Sequence, residues 1–195
     1  DPQFDYFGIA GQYEEAGADC ISVLTEPKWF LGSDEIFRAI RLTVDVPMLR
    51  KDFTVDEYQI YEAKVMGADA VLLICALLDT DKLREYLAIC DKLGLSALVE
   101  THDETEMQSA VAAGARLIGV NNRNLRDFSV DLGNAARLRA GAPEGTIFVA
   151  ESGVSCPEDA AKLRQAGADA ILGGEFLMRS LDKKRALQAL REAAK

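Results

Sequence analysis

The stretch MGADAVLLICALLDTDKLREYLAICDKLGLSALVE (66–100) contains one complete unit of the pattern that decides the fold. It begins with a Gly-Ala-Asp turn, continues with the apolar run AVLLIC (70–75), and ends with a second apolar run, SALVE (96–100). Between the two runs, DKLREYLAICDKLG (81–94) has the apolar spacing of an amphipathic helix and ends in a glycine, which suits a left-handed C-cap. The unit therefore predicts a strand, a helix and a second strand.

Apolar runs of strand length recur along the whole chain. They are rich in Val, Ile and Leu and are continuously apolar rather than alternating, which is typical of a parallel sheet buried on both faces. The seven runs are CISVLT (20–25), VPMLRK (46–51), AVLLIC (70–75), SALVE (96–100), LIGVN (117–121), IFVAE (147–151) and AILGG (170–174). Their alternation with amphipathic helical stretches predicts an α/β fold with right-handed crossovers.

A second repeat, with a longer period along the sequence, indicates which α/β fold this is. One phrase, a helix end followed by Gly-Ala, a polar residue and a strand, occurs at every second run: AGADCISVL (16–24), MGADAVLLI (66–74), AGARLIGV (113–120) and AGADAILGG (166–174). This alternation fits a (β/α)8 TIM barrel, whose interior is filled in layers by alternate strands. Seven runs are an odd number, and the helical stretch IAGQYEEAGAD (9–19) follows no apolar run. We therefore expect strands two to eight of a single barrel domain over residues 1–195, with strand one missing; an open doubly wound sheet is the alternative.

Composition narrows the range of partners and compartments. The net charge of −10 argues against nucleic acid or an anionic membrane as the main partner. The longest apolar runs are too short to span a bilayer. The cysteines show neither a CxxC motif nor metal-ligand spacing with the single histidine, so we expect no metal site, and reduced thiols in a cytoplasmic protein: Cys20, Cys75, Cys90 and Cys156.

Polar residues end several of the runs, at the edge of the barrel where active sites are found. Lys51 and Glu100 each come directly after apolar residues, and both are poor choices for a strand end that serves only packing. A ring of salt bridges is the alternative explanation, and for Glu151 it is about as strong as the functional one. The loops that contain ESGV (151–154) and GGEF (173–176) place small residues where backbone N–H groups can approach a phosphate.

Two further features have two interpretations each. His102 lies beside a predicted helix start, where a solvated loop residue is a more common role than a catalyst. Trp29 and Phe30 occupy the loop after the first run, where they can form a lid or wall for an aromatic substrate or simply anchor a surface loop. The residues alone leave both questions open.

Six segments of the chain resemble the indole-3-glycerol phosphate synthase family. They are SVLTEPKWFLGS (22–33), LRKDFTVDEYQIYEAKVMGADAVLLI (49–74), ALVETHDETE (97–106), IGVNNRNLRDFSVDL (118–132), ESGV (151–154) and GGEFLM (173–178). The combination of LRKDF (49–53) and IGVNNRNL (118–125) is specific to this family. The resemblance implies an enzyme of tryptophan biosynthesis, without metal or cofactor, that converts 1-(2-carboxyphenylamino)-1-deoxyribulose 5-phosphate to indole-3-glycerol phosphate with loss of CO2 and water.

The resemblance also implies a role for individual residues. Lys51 is expected to be the general acid in ring closure, and Glu100 the proton carrier in the later dehydration. The substrate is expected to be held by Asn121, Arg123, Glu151 and Ser152. The apolar wall around its aromatic ring is expected from Phe30, Leu72 and Leu125. The phosphate is expected to bind at Gly153, Gly174 and Glu175.

A missing first strand would have consequences for activity and assembly. In the family that strand and its loop carry a glutamate, a second lysine and a serine that reaches the phosphate. We therefore expect the activity of this chain to be impaired, and we expect the chain to self-associate through its open sheet edges.

Two other functions stay open at this point. One is a neighbouring phosphosugar enzyme, such as phosphoribosylanthranilate isomerase or the tryptophan synthase α subunit, which would need a different acid–base pair. The other is a non-catalytic remnant that binds phosphate or assembles with a partner supplying strand one.

Overall fold

A computed structural model describes residues 5–124 and 127–195 of the chain. The strands in this part are β1 (Ile21–Leu24), β2 (Met48–Lys51), β3 (Ala70–Ile74), β4 (Ser96–Thr101), β5 (Leu117–Asn121), β6 (Ile147–Glu151) and β7 (Ala170–Leu172). The helices are α1 (Tyr6–Glu15), α2 (Asp34–Arg41), α3 (Glu57–Met66), α4 (Thr80–Leu93), α5 (Glu104–Ala113), α6 (Gly133–Arg139), α7 (Pro157–Gln165), α8 (Glu175–Arg179) and α9 (Lys183–Ala193). Each apolar run of the sequence contains one strand, so the predicted order of elements is confirmed.

The strands form one parallel sheet whose order follows the chain from β1 to β7. Each strand pairs with its sequence neighbours, without the reversal of order that defines a doubly wound sheet. This order is that of a TIM-like α/β fold. In the part of the chain that the structure describes, no strand pairing joins β7 to β1.

The pleat of each strand divides its side chains between two apolar cores. The larger core lies between the sheet and the helices and includes Phe37, Val71, Leu73, Ile118 and Phe148. The smaller core lies on the inner face and contains Leu49, Leu72, Ile74, Leu98 and Val149. Because alternate residues of a strand share a face, Lys51, Glu100 and Glu151 are placed on the inner face, each two residues after an inner-core residue.

Arg50 points to the outer face, opposite to its neighbour Lys51. Its guanidinium contacts three carboxylates, at 2.8 Å to Glu62, 3.1 Å to Asp34 and 3.6 Å to Asp52. The side chain of Arg50 is only 6% exposed, and a charge at that depth is tolerated because it is paired. The network ties β2 to α2 and α3, and thereby fixes the inward direction of Lys51.

The Gly-Ala-Asp turns connect neighbouring strands at the amino edge of the sheet. Asp69 Oδ2 accepts a hydrogen bond from the backbone N–H of Met48 at 2.8 Å. Asp169 Oδ2 accepts the equivalent bond from Phe148, also at 2.8 Å. Asp19 occupies the same position before β1, but its side chain is 89% exposed. The repeated phrase therefore has a physical purpose, since its aspartate caps the start of the preceding strand.

The cysteines of the chain are all free thiols, as the sequence predicted. Burial raises the pKa of Cys75 and Cys90 to about 12, so both stay protonated at neutral pH. Of the helices within residues 5–124 and 127–195, none is long and apolar enough to cross a membrane.

Replacing Asp69 with alanine tests the strand-capping function of the repeat. The N–H of Met48, a residue with no exposed surface, would lose its acceptor, so we expect the free energy of unfolding to fall by about 1–3 kcal/mol. Asp19→Ala is the matched control, because the same residue of the same phrase is exposed there, and we expect a change within about 0.5 kcal/mol. Urea unfolding of the three proteins measures both; equal losses from the two variants would contradict this explanation.

Candidate active site

The polar residues of the inner face meet at the carboxyl edge of the sheet. Lys51 Nζ lies 3.8 Å from Glu100 Oε2, and Asn121 Nδ2 donates to Glu100 Oε1 at 3.4 Å. Asn121 is paired in register with Glu151 on the next strand. The side chain of Glu100 is only 3% exposed. The structure thus brings together four residues that the sequence singled out from four different strands.

Glu151 occupies a space that a glycine leaves open. Gly119 is paired in register with Glu100 on β4 and with Val149 on β6. A Cβ atom at position 119 would come within 1.9 Å of Glu151 Oε1, so any other residue would displace this carboxyl group. Sequence reasoning missed Gly119, although a glycine inside a strand is a known sign that another group approaches closely.

The pKa values of the two buried carboxyl groups are shifted in opposite directions. Burial alone would raise the pKa of Glu100, but the adjacent His102 and the charge of Lys51 outweigh it and hold the pKa at about 2. Burial raises the pKa of Glu151 well above its usual value, and the charge on Glu100 raises it further. At mildly acidic pH Glu100 is therefore ionised while Glu151 keeps its proton. A pair of groups with pKa values driven apart in this way is typical of a proton-transfer site.

His102 is not the solvated loop residue that the sequence favoured. Its side chain is 17% exposed and lies between two carboxylates, 3.2 Å from Glu100 Oε1 and 3.0 Å from Glu106 Oε2. Glu100 and Glu106 together raise the pKa of His102 to about 10, so the ring is an imidazolium at neutral pH. The spacing of four residues between His102 and Glu106 was the signal in the sequence, since such residues are neighbours on a helical turn.

An aromatic wall stands beside the lysine. The ring centroid of Phe30 lies 5.2 Å from that of Phe53 in a stacked arrangement, and Lys51 Nζ lies 5.8 Å from the Phe30 centroid. The carboxylate of Glu26 accepts hydrogen bonds from three successive backbone N–H groups of the loop. This turn directs Phe30 into the cavity and leaves Trp29 70% exposed. The sequence identified Phe30 but missed its stacking partner.

Leu72, which was expected in the apolar wall, lies in the inner core. Leu72 is 1% exposed and packs in the inner core, level with Leu98 and two residues below Glu100. It therefore lies beneath the cavity and not among its lining residues. Leu125 falls outside the residues that the structure describes.

The loops after β6 and β7 lie side by side at the same edge. Ser152 and Gly153 are both left-handed, with φ of 65° and 87°. For Ser152 this conformation costs on the order of 1 kcal/mol, and strain of this kind is concentrated at functional loops. The N–H of Ser152 donates to Leu172 O at 3.1 Å, which joins the two loops, and Gly174 forms the N-cap of α8.

Arg123 and Glu175 form an ion pair that the sequence did not predict. Arg123 Nη2 lies 3.1 Å from Glu175 Oε2, and Arg179 Nη2 lies 2.9 Å from Glu175 Oε1. The pair connects the loop after β5 to the first residue of α8. A substrate anion that binds Arg123 must therefore compete with the carboxylate of Glu175.

A cavity of about 1070 Å³ lies at the site, and Glu100 and His102 are buried behind its lining residues. At the carboxyl edge of the sheet it is lined by Lys51, Asn121 and Glu151, with the loops of Gly153 and Gly174 beside them. From there it extends between β1 and β7 to α1, where the lining is mainly apolar: Tyr6, Ile9, Ile21, Val23 and Leu187. The cavity thus combines a polar end with charged groups and a long apolar extension.

Comparisons with known proteins show the family to which the chain belongs. A family model for indole-3-glycerol phosphate synthase matches residues 1–190. The indole-3-glycerol phosphate synthase of Ruminiclostridium cellulolyticum is 58% identical over 191 residues, which cover 98% of this chain and 74% of that protein. The synthase of Leuconostoc mesenteroides subsp. mesenteroides is 51% identical over 189 residues, with coverages of 97% and 72%. The crystal structure of a 3-hexulose-6-phosphate synthase shares the fold, with a TM-score of 0.77 and 18% identity over 97% of this chain and 93% of that chain. This chain belongs to the indole-3-glycerol phosphate synthase family.

Proposed function

We propose that the site of this chain performs ring closure, decarboxylation and dehydration of 1-(2-carboxyphenylamino)-1-deoxyribulose 5-phosphate to indole-3-glycerol phosphate. One observation carries the assignment of residues: Lys51 Nζ and the buried carboxylate of Glu100 face each other at 3.8 Å beside an aromatic wall. Family membership over 190 residues favours this function over a phosphoribosylanthranilate isomerase-like enzyme or a non-catalytic remnant.

Lys51 is suited to act as the general acid of ring closure. Bond formation at a carbonyl carbon leaves negative charge on the carbonyl oxygen, and a positioned acid must supply a proton there. Lys51 lines the cavity, is 25% exposed, and has Glu100 behind it as counter-ion. The proton can therefore be delivered into the cavity, and its transfer leaves Lys51 neutral and Glu100 without this counter-ion.

Glu100 is suited to act as the base of the dehydration. Loss of a hydroxyl group as water requires that a proton also leave the intermediate, and an ionised carboxylate is a suitable acceptor. Glu100 is held in its ionised form, and its Oε2 atom makes no hydrogen bond to the described residues. That atom is buried and Glu100 is not among the lining residues of the cavity, so we propose that the substrate reaches it beside Lys51 Nζ, 3.8 Å away.

The remaining predicted residues are suited to hold the substrate. Asn121, Arg123, Glu151 and Ser152 line the polar end of the cavity, where a carboxylate and hydroxyl groups need donors and acceptors. Phe30 supplies the aromatic wall, and we propose that Leu72 supports it from below and that Leu125 extends it. For the phosphate we propose the joined loops of Gly153, Gly174 and Glu175, whose backbone N–H groups suit an anion.

We also propose that a further strand fits between β7 and β1 and completes the barrel. On the β2 side, the N–H of Ile21 donates to Pro47 O and the N–H of Thr25 donates to Lys51 O. In a parallel ladder alternate residues bond to opposite sides, so the N–H groups of Ser22 and Leu24 are directed towards β7. The apolar part of the cavity lies on that side of β1. A strand there would pair with both edges and fill the apolar extension.

Asp19 supplies the register for such a strand. In the two capped pairs of the sheet, the residue after the N–H donor lies opposite the residue after the aspartate: Leu49 opposite Ala70, and Val149 opposite Ala170. By the same rule, the first residue of the further strand donates its N–H to Asp19, and the next residue lies opposite Cys20. Until this space is filled, the edges of β1 and β7 can pair with another copy of the chain, so we expect self-association.

Replacement of Lys51 by methionine tests the function of the site. The variant keeps the length of the side chain but cannot supply a proton, so kcat should fall by about 10²–10⁴-fold while KM changes much less. The assay uses the chain together with the portion of the R. cellulolyticum synthase that it does not cover, here called the completing segment, and detects the indole product by fluorescence. Lys82→Met, at a lysine 46% exposed on α4, is the control and should leave kcat unchanged. A loss below about threefold for Lys51→Met would assign this lysine a purely structural role.

Addition of the completing segment tests the proposed strand. The chain alone should show at most trace conversion and a mass in solution above that of one chain, whereas the segment should restore activity and a one-to-one complex. Asp19→Ala should weaken the affinity of the chain for the segment by about 5–10-fold, because one backbone N–H loses its acceptor. Asp81→Ala, at an aspartate 92% exposed on α4, is the control. Full activity of the monomeric chain alone, or equal affinities for the two variants, would contradict the proposal.

A further inference from the structure

His102 is held rigidly by the first turn of α5. Its backbone N–H and its ring Nδ1 both contact Glu106 Oε2, at 2.8 Å and 3.0 Å. Its carbonyl oxygen accepts a hydrogen bond from Asn134 Nδ2 at 3.1 Å. Asp103 is the N-cap of the same helix, and its Oδ1 accepts a hydrogen bond from the N–H of Glu106 at 2.9 Å. This bond holds Glu106 in place, and the carboxylate of Glu106 in turn holds the His102 ring. The imidazole is therefore held in place, with Nε2 3.2 Å from Glu100 Oε1.

The contact between His102 and Glu100 is electrostatic in character. Nε2 lies 3.2 Å from Glu100 Oε1, yet its direction does not give an aligned hydrogen bond with any of the described residues. The side chain of Glu100 is 3% exposed, and that of His102 is 17% exposed. Two opposite charges at this distance and depth are screened far less than a surface pair. Their attraction therefore acts strongly on the ionisation of both groups.

Charged and titratable groups face this pair from several elements. Lys51 faces Glu100 from β2, and Glu151 faces it from β6. Glu106 and Asp103 lie on the side of α5, and the Cys75 thiol, at the end of β3, lies within the field of these carboxylates. Among them the cations are Lys51 and the ring itself. Lys51 and the ring are therefore the two cations of this set that lie close to Glu100.

The imidazolium cannot act as a base in a proton relay. Glu100 and Glu106 raise the pKa of His102 to about 10, so at neutral pH both ring nitrogens already carry a proton. A doubly protonated ring accepts nothing from Glu100. Its contribution to the reaction is a fixed positive charge.

We propose that His102, held by Glu106, is a positioning residue that keeps Glu100 ionised and oriented towards Lys51 throughout the reaction. The inference rests on the proposed function, in which Lys51 gives up a proton before Glu100 accepts one. When Lys51 becomes a neutral amine, Glu100 loses that counter-ion, and a buried carboxylate with no cation would take up a proton. The charge on His102 remains at this stage and preserves the base for the dehydration.

His102 is the only histidine of the chain, so its ring can be observed directly by 15N NMR in chain labelled at the ring nitrogens. Both nitrogens should remain protonated at pH 8 and titrate at about 10, and Glu106→Gln should lower that midpoint. Glu104→Gln, the same substitution at an exposed position of α5, should leave it unchanged. A midpoint near the ordinary value of about 6.5 would overturn the proposal, whether or not the chain shows synthase activity.

Kinetic measurements on the chain with the completing segment separate the effect of the positive charge of His102 from the effect of its side-chain shape. His102→Gln should lower kcat by about 10-fold with KM within about twofold, and should move the acidic limb of the kcat profile to higher pH, because the pKa of Glu100 rises without the cation. His102→Lys restores a positive charge and should recover part of both effects. An unchanged profile for His102→Gln, or a lysine variant no better than glutamine, would overturn the proposal. Loss of conversion in the unmodified preparation would instead count against the proposed function, and the NMR titration would still decide the state of the ring.

Discussion

Two carboxyl groups buried side by side at the carboxyl edge of a parallel sheet are the constraint on which this structure depends. An ionised carboxylate is costly at such a depth unless cations and hydrogen bonds compensate it. Glu100 has Lys51 and His102 close to it, while burial raises the pKa of Glu151 well above its usual value and so favours its uncharged form. The requirement extends into the backbone, because Gly119 must lack a side chain for Glu151 to fit.

The sequence predicted the placement of this site because the carboxyl ends of the strands of a barrel meet at one edge, where active sites are found. The polar residues that end the apolar runs therefore identified Lys51, Glu100 and Glu151, and the period of two of a strand places all three on the inner face. His102 was misjudged because its environment depends on the first turn of the following helix, which holds Glu106 against it. The pair of Arg123 and Glu175 lies beyond such reasoning, since 52 residues of chain separate its members.

The Gly-Ala-Asp phrase shows how a repeat in sequence acquires a structural meaning. Its periodicity was sufficient to predict a barrel-like order of strands, but not what the aspartate does. In the structure the carboxylates of Asp69 and Asp169 accept the N–H of the preceding strand. Arg116 takes the aspartate's place in the third copy and pairs instead with Asp91 on α4 at 2.6 Å. Asp19 stands at the same position of the phrase with an exposed carboxylate, which is suited to accept the N–H of the eighth strand that we propose.

At mildly acidic pH we expect the site to hold an ionised Glu100 and a protonated Glu151 at the same time. Carboxyl 13C NMR of chain labelled at glutamate Cδ measures this most directly, with Glu100→Gln and Glu151→Gln used for assignment. At about pH 5.5, above the ordinary glutamate pKa, we predict an ionised resonance that disappears in Glu100→Gln and a protonated resonance that disappears in Glu151→Gln. Two ionised resonances at that pH would contradict the account.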